Sequence, residues 1–214
     1  MRALMTILLS ALLLPACATP EQDRGAAAAL APPVDRPGWM AIVEPEDLGR
    51  LQRLDSAWAS ALADLRAARL AGRIAAEGAL LEPGAALPRP APPPGSYRCR
   101  LLRLGRHRAG DRALATHRPF FCHVGDAGEL LAFTKQTGSE RPGGYLYPDG
   151  EGRRLVFLGA LARDRETVPA YGEESGRDMV GIVERIAPFR WRLVLPWPRS
   201  GARLEVMELV PALP

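Results

Sequence analysis

Gly95-Ser96-Tyr97-Arg98-Cys99-Arg100-Leu101 places Tyr97, Cys99 and Leu101 in alternation with Arg98 and Arg100. A period of two puts successive side chains on opposite faces of an extended chain, so this run reads as a strand with one face buried. The same alternation returns in Phe120, Cys122 and Val124 against Phe121 and His123, and in Val180 and Ile182 against Gly181 and Val183. Further candidate strands lie at 129–135, 144–147, 154–161, 190–195 and 204–210. Strong turn signals separate them, among them Gly125-Asp126-Ala127-Gly128, Pro148-Asp149-Gly150-Glu151-Gly152 and Ala187-Pro188-Phe189. About eight short strands with no helix between them predict an antiparallel meander, and closure into a small barrel, complete or partial, removes its exposed edges. The expected fold class is α+β, mainly β: an N-terminal amphipathic helix followed by an antiparallel β domain over residues 96–214.

Upstream of Gly95 the pattern changes. Six prolines between Pro83 and Pro94 mark residues 82–95 as a linker or an extended crossing segment. Before it, Leu48, Leu51, Leu54, Trp58, Leu62 and Leu65 recur at helical spacing and define one apolar stripe. The helix is expected to begin near Glu44-Pro45-Glu46-Asp47, where Pro suits the first position and acidic residues suit the positive end of the helix dipole. Gly72 ends or interrupts it, and Arg73 to Leu81 supplies one more short helical stretch, giving a helical segment over 45–81. Such a stripe either docks a partner or packs on the chain's own sheet, and packing is the commoner fate.

The chain opens on an address. Met1-Arg2, an apolar run from Ala3 to Leu14 and the ending Leu14-Pro15-Ala16-Cys17 read as a secretory signal peptide over residues 1–16. The run is too short for a bilayer crossing, which needs about 20 residues. The ending is similar to a bacterial lipobox, in which the Cys is lipidated; Leu14, Ala16 and Cys17 match it. Pro15 stands where a small or β-branched residue is usual, which leaves cleavage without lipidation as the alternative. Lipidation at Cys17 would hold the chain to the membrane, and residues 17–44, rich in Ala and Pro, then form a tether. Ala18, rather than Asp, after the Cys resembles lipoproteins sent to the outer membrane, so the expected location is the periplasmic side of the envelope, lipid-anchored.

Composition bounds the rest. A chain of 214 residues accommodates one ordinary domain with appendages, and 47% hydrophobic with 24% charged residues describes an average soluble composition. The formal charge of +4 falls to +3 when residues 1–16, which contain only Arg2, are removed. Of 28 basic residues only Lys135 is a lysine, a bias that points to a GC-rich genome, and no nucleic-acid partner is expected. With Cys17 assigned to lipid, Cys99 and Cys122 remain as a pair in an oxidising compartment and read as one disulfide. A metal site of Cys99, Cys122 and His123 is the rival, but adjacent strand residues point to opposite faces. No metal and no cofactor is expected.

Several phrases resemble an uncharacterised family of bacterial envelope proteins, the domain-of-unknown-function family 4893. They are 95–100 (Gly-Ser-Tyr-Arg-Cys-Arg), 137–142 (Thr-Gly-Ser-Glu-Arg-Pro), 146–149 (Leu-Tyr-Pro-Asp), 156–159 (Val-Phe-Leu-Gly) and 190–198 (Arg-Trp-Arg-Leu-Val-Leu-Pro-Trp-Pro). The Trp58 helix and the closing Glu208-Leu209-Val210-Pro211 also fit, so the resemblance spans the chain after the tether. It implies an envelope protein with a paired Cys99 and Cys122 and assigns no catalytic residue. Tyr97-Arg98-Cys99 is also similar to the strand start of small secreted β-barrel inhibitors of lysozymes and proteases, whose inserting loop Gly138-Ser139-Glu140-Arg141 echoes loosely. That likeness is architectural, and a fold does not fix a function.

Candidate chemistry is sparse. No Gly-rich phosphate loop, nucleophile elbow or His-Glu-x-x-His run is present. The histidines are His107, His117 and His123, the first two flanking an expected hairpin loop from Gly105 to Arg118. Arg98, Arg100, Arg103, Arg106, Arg108, Arg112 and Arg118 stand against one acidic residue, Asp111, and are the candidate anion- or partner-binding set, because guanidinium forks match phosphate and carboxylate. A solvated outer face is the blander reading of the same run. Asp149, Glu151, Asp178 and Glu184 sit near turns; Glu184 is expected to pair across a hairpin with Arg190 or Arg192. Trp191, Trp197, Tyr145, Tyr147 and Tyr171 line a cavity or, more commonly, fill a core. Two functions follow as expectations. One is a non-enzymatic envelope lipoprotein that binds a protein or an anionic envelope polymer, inhibition of a secreted hydrolase being one form. The alternative is an envelope enzyme with a carboxylate acid/base site near Tyr147, Asp149 and Asp178.

Overall fold

The computed structural model describes residues 38–106, 108 and 110–212. The predicted signal peptide, Cys17, the tether up to residue 37 and His107 lie outside the described residues. Three helices, α1 (Pro45–Gln52), α2 (Leu54–Ala67) and α3 (Ala71–Glu77), precede nine strands: β1 (Gly95–Leu104), β2 (Leu114–Thr116), β3 (Phe120–Ala127), β4 (Leu130–Lys135), β5 (Glu140–Pro148), β6 (Arg154–Arg163), β7 (Asp178–Ala187), β8 (Arg190–Pro196) and β9 (Leu204–Pro211). Short 3-10 turns occupy Trp39–Ala41 and Gly78–Leu80.

All ladders are antiparallel, and β1 pairs with β9 from Tyr97↔Pro211 to Leu104↔Leu204, so eight strands close into a barrel. The ninth, β2, is an addition. The other edge of β1 is shared: Gly95–Cys99 pairs with β3 and Leu102–Leu104 with β2. Three residues with one partner strand are too short to show a pattern, which is why 114–116 read as part of a loop. The expected single helix is two, broken at Arg53, whose backbone leaves the helical region.

The stripe on α2 packs on the barrel's outer wall. Ala57, Trp58, Ala61, Leu62 and Leu65 form one buried cluster with Leu102, Leu104, Val194, Leu204 and Val206. Beside it, Trp39, Ile42, Val43 and Leu51 cover Tyr145, Tyr147, Val156, Leu158, Val180 and Ile182. Arg192, fully buried on β8, ties the two layers together. It pairs with Glu184 at 2.7 Å, donates to the carbonyls of Ala79, Leu80 and Glu82 at 2.9–3.1 Å, and lies 4.9 Å from the centre of the Trp58 ring. Carbonyls left open where the helical segment ends thus find a charged donor.

Side chains of the opposite parity point inward. Tyr97, Cys99, Cys122, Val124, Phe133, Leu146, Leu155, Phe157, Val183, Trp191, Leu193 and Leu209 fill one half of the barrel. The Cys99–Cys122 disulfide, with Cα atoms 6.0 Å apart, staples β1 to β3 inside this core. Tyr97 meets Trp191 edge to face, and Phe133 meets Phe157 likewise, with centroids 6.0 and 5.9 Å apart. Gly144 and Gly159 are cross-strand partners on this inner face, and a Cβ on either would run into the backbone of the neighbouring strand and the Phe157 ring. The absent side chains make the space that the two rings occupy.

Candidate functional site

The other half of the barrel is not filled. Continuing the inward parity towards the end of β1 gives Leu101 and Arg103 on β1, Phe120 on β3, Lys135 on β4, Pro142 and Glu140 on β5, and Leu161 and Arg163 on β6. Met179 on β7, Leu195 on β8, and Met207 and Glu205 on β9 complete the set. All of these line one cavity of about 260 Å3 that opens at this end. The groups are layered: Leu101, Phe120, Leu161, Met179, Leu195 and Met207 make an apolar ring, and Arg103, Lys135, Glu140, Arg163, Arg177 and Glu205 make a charged ring above it. Alternation fixes this order, because moving two residues along a strand advances one layer on the same face.

Charges in the upper ring are unequally matched. Arg103 Nε donates to Glu205 at 2.6 Å and its other arm lies 3.7 Å from Glu140. Arg177 pairs with Glu166 at 2.6 Å and Glu174 at 3.0 Å. Arg163 is exposed at the lip. Lys135 has no carboxylate within ion-pair distance among the described residues; its Nζ lies 4.5 Å from the centre of the Phe120 ring. Burial, against the attraction of Glu140 and with the repulsion of Arg103, lowers the Lys135 pKa. Nearby His117 is half-buried with Nε2 unpartnered, and burial together with Arg103 lowers its pKa. A further carboxyl, Asp178, stands at the rim on the outer parity of β7. It is 2% exposed, accepts from the Gly172 N–H at 3.0 Å through Oδ1, and has no partner at Oδ2. Desolvation raises its pKa, with the neighbouring Asp47 adding to the effect.

The seven arginines that the sequence groups as one patch are separated by the fold. Arg98 is exposed on the outer wall, while Arg100, two residues on, is bound to Glu77 and Glu208 at 2.7 and 2.8 Å. Arg103 has the opposite parity and enters the cavity. Arg106, Arg108, Arg112 and Arg118 are exposed in the segments flanking β2. Tyr147, Asp149 and Asp178 are also apart. Tyr147 is level with Val156 and Ile182, four positions along β7 from Asp178, or roughly 13 Å at strand rise. Asp149 is paired with Arg154 at the opposite end of the barrel. Glu184 pairs with Arg192 as the hairpin reading expects, whereas Arg190 turns to Glu208 at 2.6 Å. The disulfide occupies both sulfurs of the rival metal set, and among the described residues no group of three or more His, Cys, Asp or Glu is placed to hold a metal ion.

Lys135, Glu205, Arg163 and Arg177 are the cavity residues that sequence reasoning did not single out. Lys135 had a signal available: it is the one lysine among 28 basic residues, and it is in phase with Phe133 on an inward face. Glu205 had none, since its partner Arg103 is 102 residues away.

An eight-stranded barrel has an interior just wide enough to be packed with side chains or to hold one small ligand. This one is packed at one end and holds an open cavity at the other, a small antiparallel barrel with an open mouth. The chain belongs to the family described as Domain of unknown function (DUF4893), whose sequence pattern matches residues 39–209. No curated protein and no solved structure matches it.

Proposed function

We propose that the protein is a cell-envelope lipoprotein, held on the periplasmic side of the envelope by lipid on Cys17. In this reading its barrel is a non-enzymatic binding module that takes an anionic group from an envelope protein or polymer. The observation that supports the binding role is the mouth, where six cations and three carboxylates share the lining with apolar side chains. Concave sites with an apolar lining and a few convergent polar groups are where proteins hold ligands. Inhibition of a secreted hydrolase, by receiving one of its acidic loops, is one form this binding takes. A lipid on Cys17 followed by a long Ala/Pro-rich segment would let such a module reach from the membrane.

Two measurements on the full chain test the reading. Intact mass and membrane fractionation, compared with Cys17→Ala, are expected to show a lipid-modified Cys17 and release of the variant from the membrane. Cosedimentation with purified peptidoglycan and with lipopolysaccharide, at low and high salt, is expected to show saturable binding that weakens as salt screens the mouth. An unmodified Cys17 in a soluble product overturns the lipoprotein, and absence of saturable binding to either polymer overturns the anionic-polymer module.

A further inference from the structure

Resting on the reading of the mouth as a binding site, we propose that the group it takes is a monocarboxylate on a medium-length apolar chain. Its head sits on Lys135 and its tail lies against Leu101, Leu161, Met179, Leu195 and Met207.

The vertical order of the cavity sets the orientation. Toward the packed core the inward strand residues that line the cavity are Leu101, Leu161, Met179, Leu195 and Met207, so a ligand that is charged at one end and apolar at the other matches that wall. Two of the floor residues are methionines, whose unbranched side chains adapt to an irregular tail. A sugar ring would strand its hydroxyls on that floor.

The charge pattern selects the head group. Arg103 and Arg177, whose forks suit phosphate, are already engaged by Glu205, Glu166 and Glu174. Lys135 is a point charge without a carboxylate of its own, half-buried and backed by the face of Phe120. An incoming carboxylate supplies the missing partner and forms a charge-assisted hydrogen bond in a partly desolvated site. A phosphate dianion would bring a second negative charge beside Glu140 and Glu205, where Lys135 is the half-buried cation without a carboxylate and Arg163 stands exposed at the lip. One negative charge is therefore the better complement.

Size sets the tail. The volume of about 260 Å3 falls below the range of roughly 300–1,000 Å3 typical of sites for drug-sized ligands. A chain of about eight carbons is the scale of tail that such a space can take from water.

Titration of the full chain carrying Cys17→Ala, which keeps lipid and detergent out of the cell, tests this with octanoate as the probe. Octanoate is expected to bind one to one, with acetate, 1-octanol and octyl phosphate each at least about tenfold weaker. Lys135→Met, which keeps the apolar stem, is expected to lower octanoate affinity at least about tenfold and leave 1-octanol unchanged, and Lys135→Arg to restore part of the loss. Thermal melts establish that both variants fold. Undetectable octanoate binding, an equal affinity for octyl phosphate, or an octanoate affinity unaffected by Lys135→Met in a folded variant each overturns the proposal. Saturable cosedimentation with an envelope polymer alongside a failed octanoate titration removes this ligand class and leaves the binding module standing, whereas loss of both removes both.

Discussion

The two halves of the barrel use the same strands and the same inward parity, yet they differ in what a residue change should do. In the closed half, glycines at 144 and 159 admit Phe133 and Phe157, and a disulfide adds a covalent staple. In the open half, inward residues such as Leu101, Lys135 and Met179 are half-buried around a cavity. A packed interior resists any loss of volume, while a site that already contains empty space has little packing left to lose. On the proposed reading, stability and binding fall at opposite ends of one short barrel.

Phe157→Ala is the largest expected break. Phe157 is fully buried and in contact with Phe133, so its removal should cost roughly 3–5 kcal/mol, on the order of 10 °C in Tm for a chain of this size. Met179→Ala, inward but at the cavity, should cost under about 2 kcal/mol. Chemical denaturation of the two variants side by side checks the contrast; equal losses would mean that the mouth is as tightly packed as the closed end.

Next in size is the staple. Replacing Cys99 and Cys122 together by Ala should destabilise the protein by about 3 kcal/mol, the loop-closure value for a separation of 23 residues. Cys122 is the cross-strand neighbour of Lys135 but does not line the cavity, so octanoate affinity of the folded variant should change by less than about threefold. A larger loss of affinity would show that the closed half holds the mouth in shape.

Period-two alternation made β3 and the first half of β1 legible, because one side of each is buried and the rule is local, whereas β5 to β8 are largely buried on both faces and read as apolar runs between turns. The helical stripe was legible for the same reason, though its break at Arg53 was not: Leu54 continues the apolar spacing through the interruption. The candidate site was less legible. Seven arginines close in sequence look like one surface, but parity sends Arg103 inward, and Glu208, 108 residues from Arg100, holds Arg100 outside. Lys135, Glu140 and Glu205 meet only because β1 closes on β9 and β4 sits across the barrel from it. That closure is a property of the whole chain, and no local pattern contains it. Arg192 illustrates the same limit, for its carbonyl partners at 79, 80 and 82 are set by where the helical segment happens to end on the wall.

Asp178 separates the rim from the core by its pH response. Burial raises its folded pKa above the unfolded value, so its contribution is fully present below about pH 4 and is lost as pH rises through the folded pKa. At neutral pH the ionised, 2% exposed carboxylate is a standing cost. Asp178→Asn keeps an oxygen for the Gly172 N–H and removes that cost, so Tm should rise at neutral pH and converge with the parent at low pH. Melting curves across the acid range decide it, and a lower Tm for the variant at neutral pH would mean that the carboxylate has a cationic partner, with Arg199 the nearest candidate.

The smallest expected change in stability is at Lys135, and it sharpens the comparison most because Phe133 and Lys135 are consecutive inward residues of one strand. Phe133 is fully buried, and Phe133→Ala belongs with Phe157→Ala in cost. Lys135→Met removes a desolvated ammonium that has a ring face but no carboxylate, and keeps the stem that lies along the apolar ring. Its stability should therefore stay within about 0.5 kcal/mol of the parent. The two residues are one layer apart, about 7 Å along the strand, so a large difference between them places the boundary between core and site within that step. A loss above about 2 kcal/mol for Lys135→Met would put the lysine on the structural side of the boundary and move the binding layer outward to Arg163 and the lip.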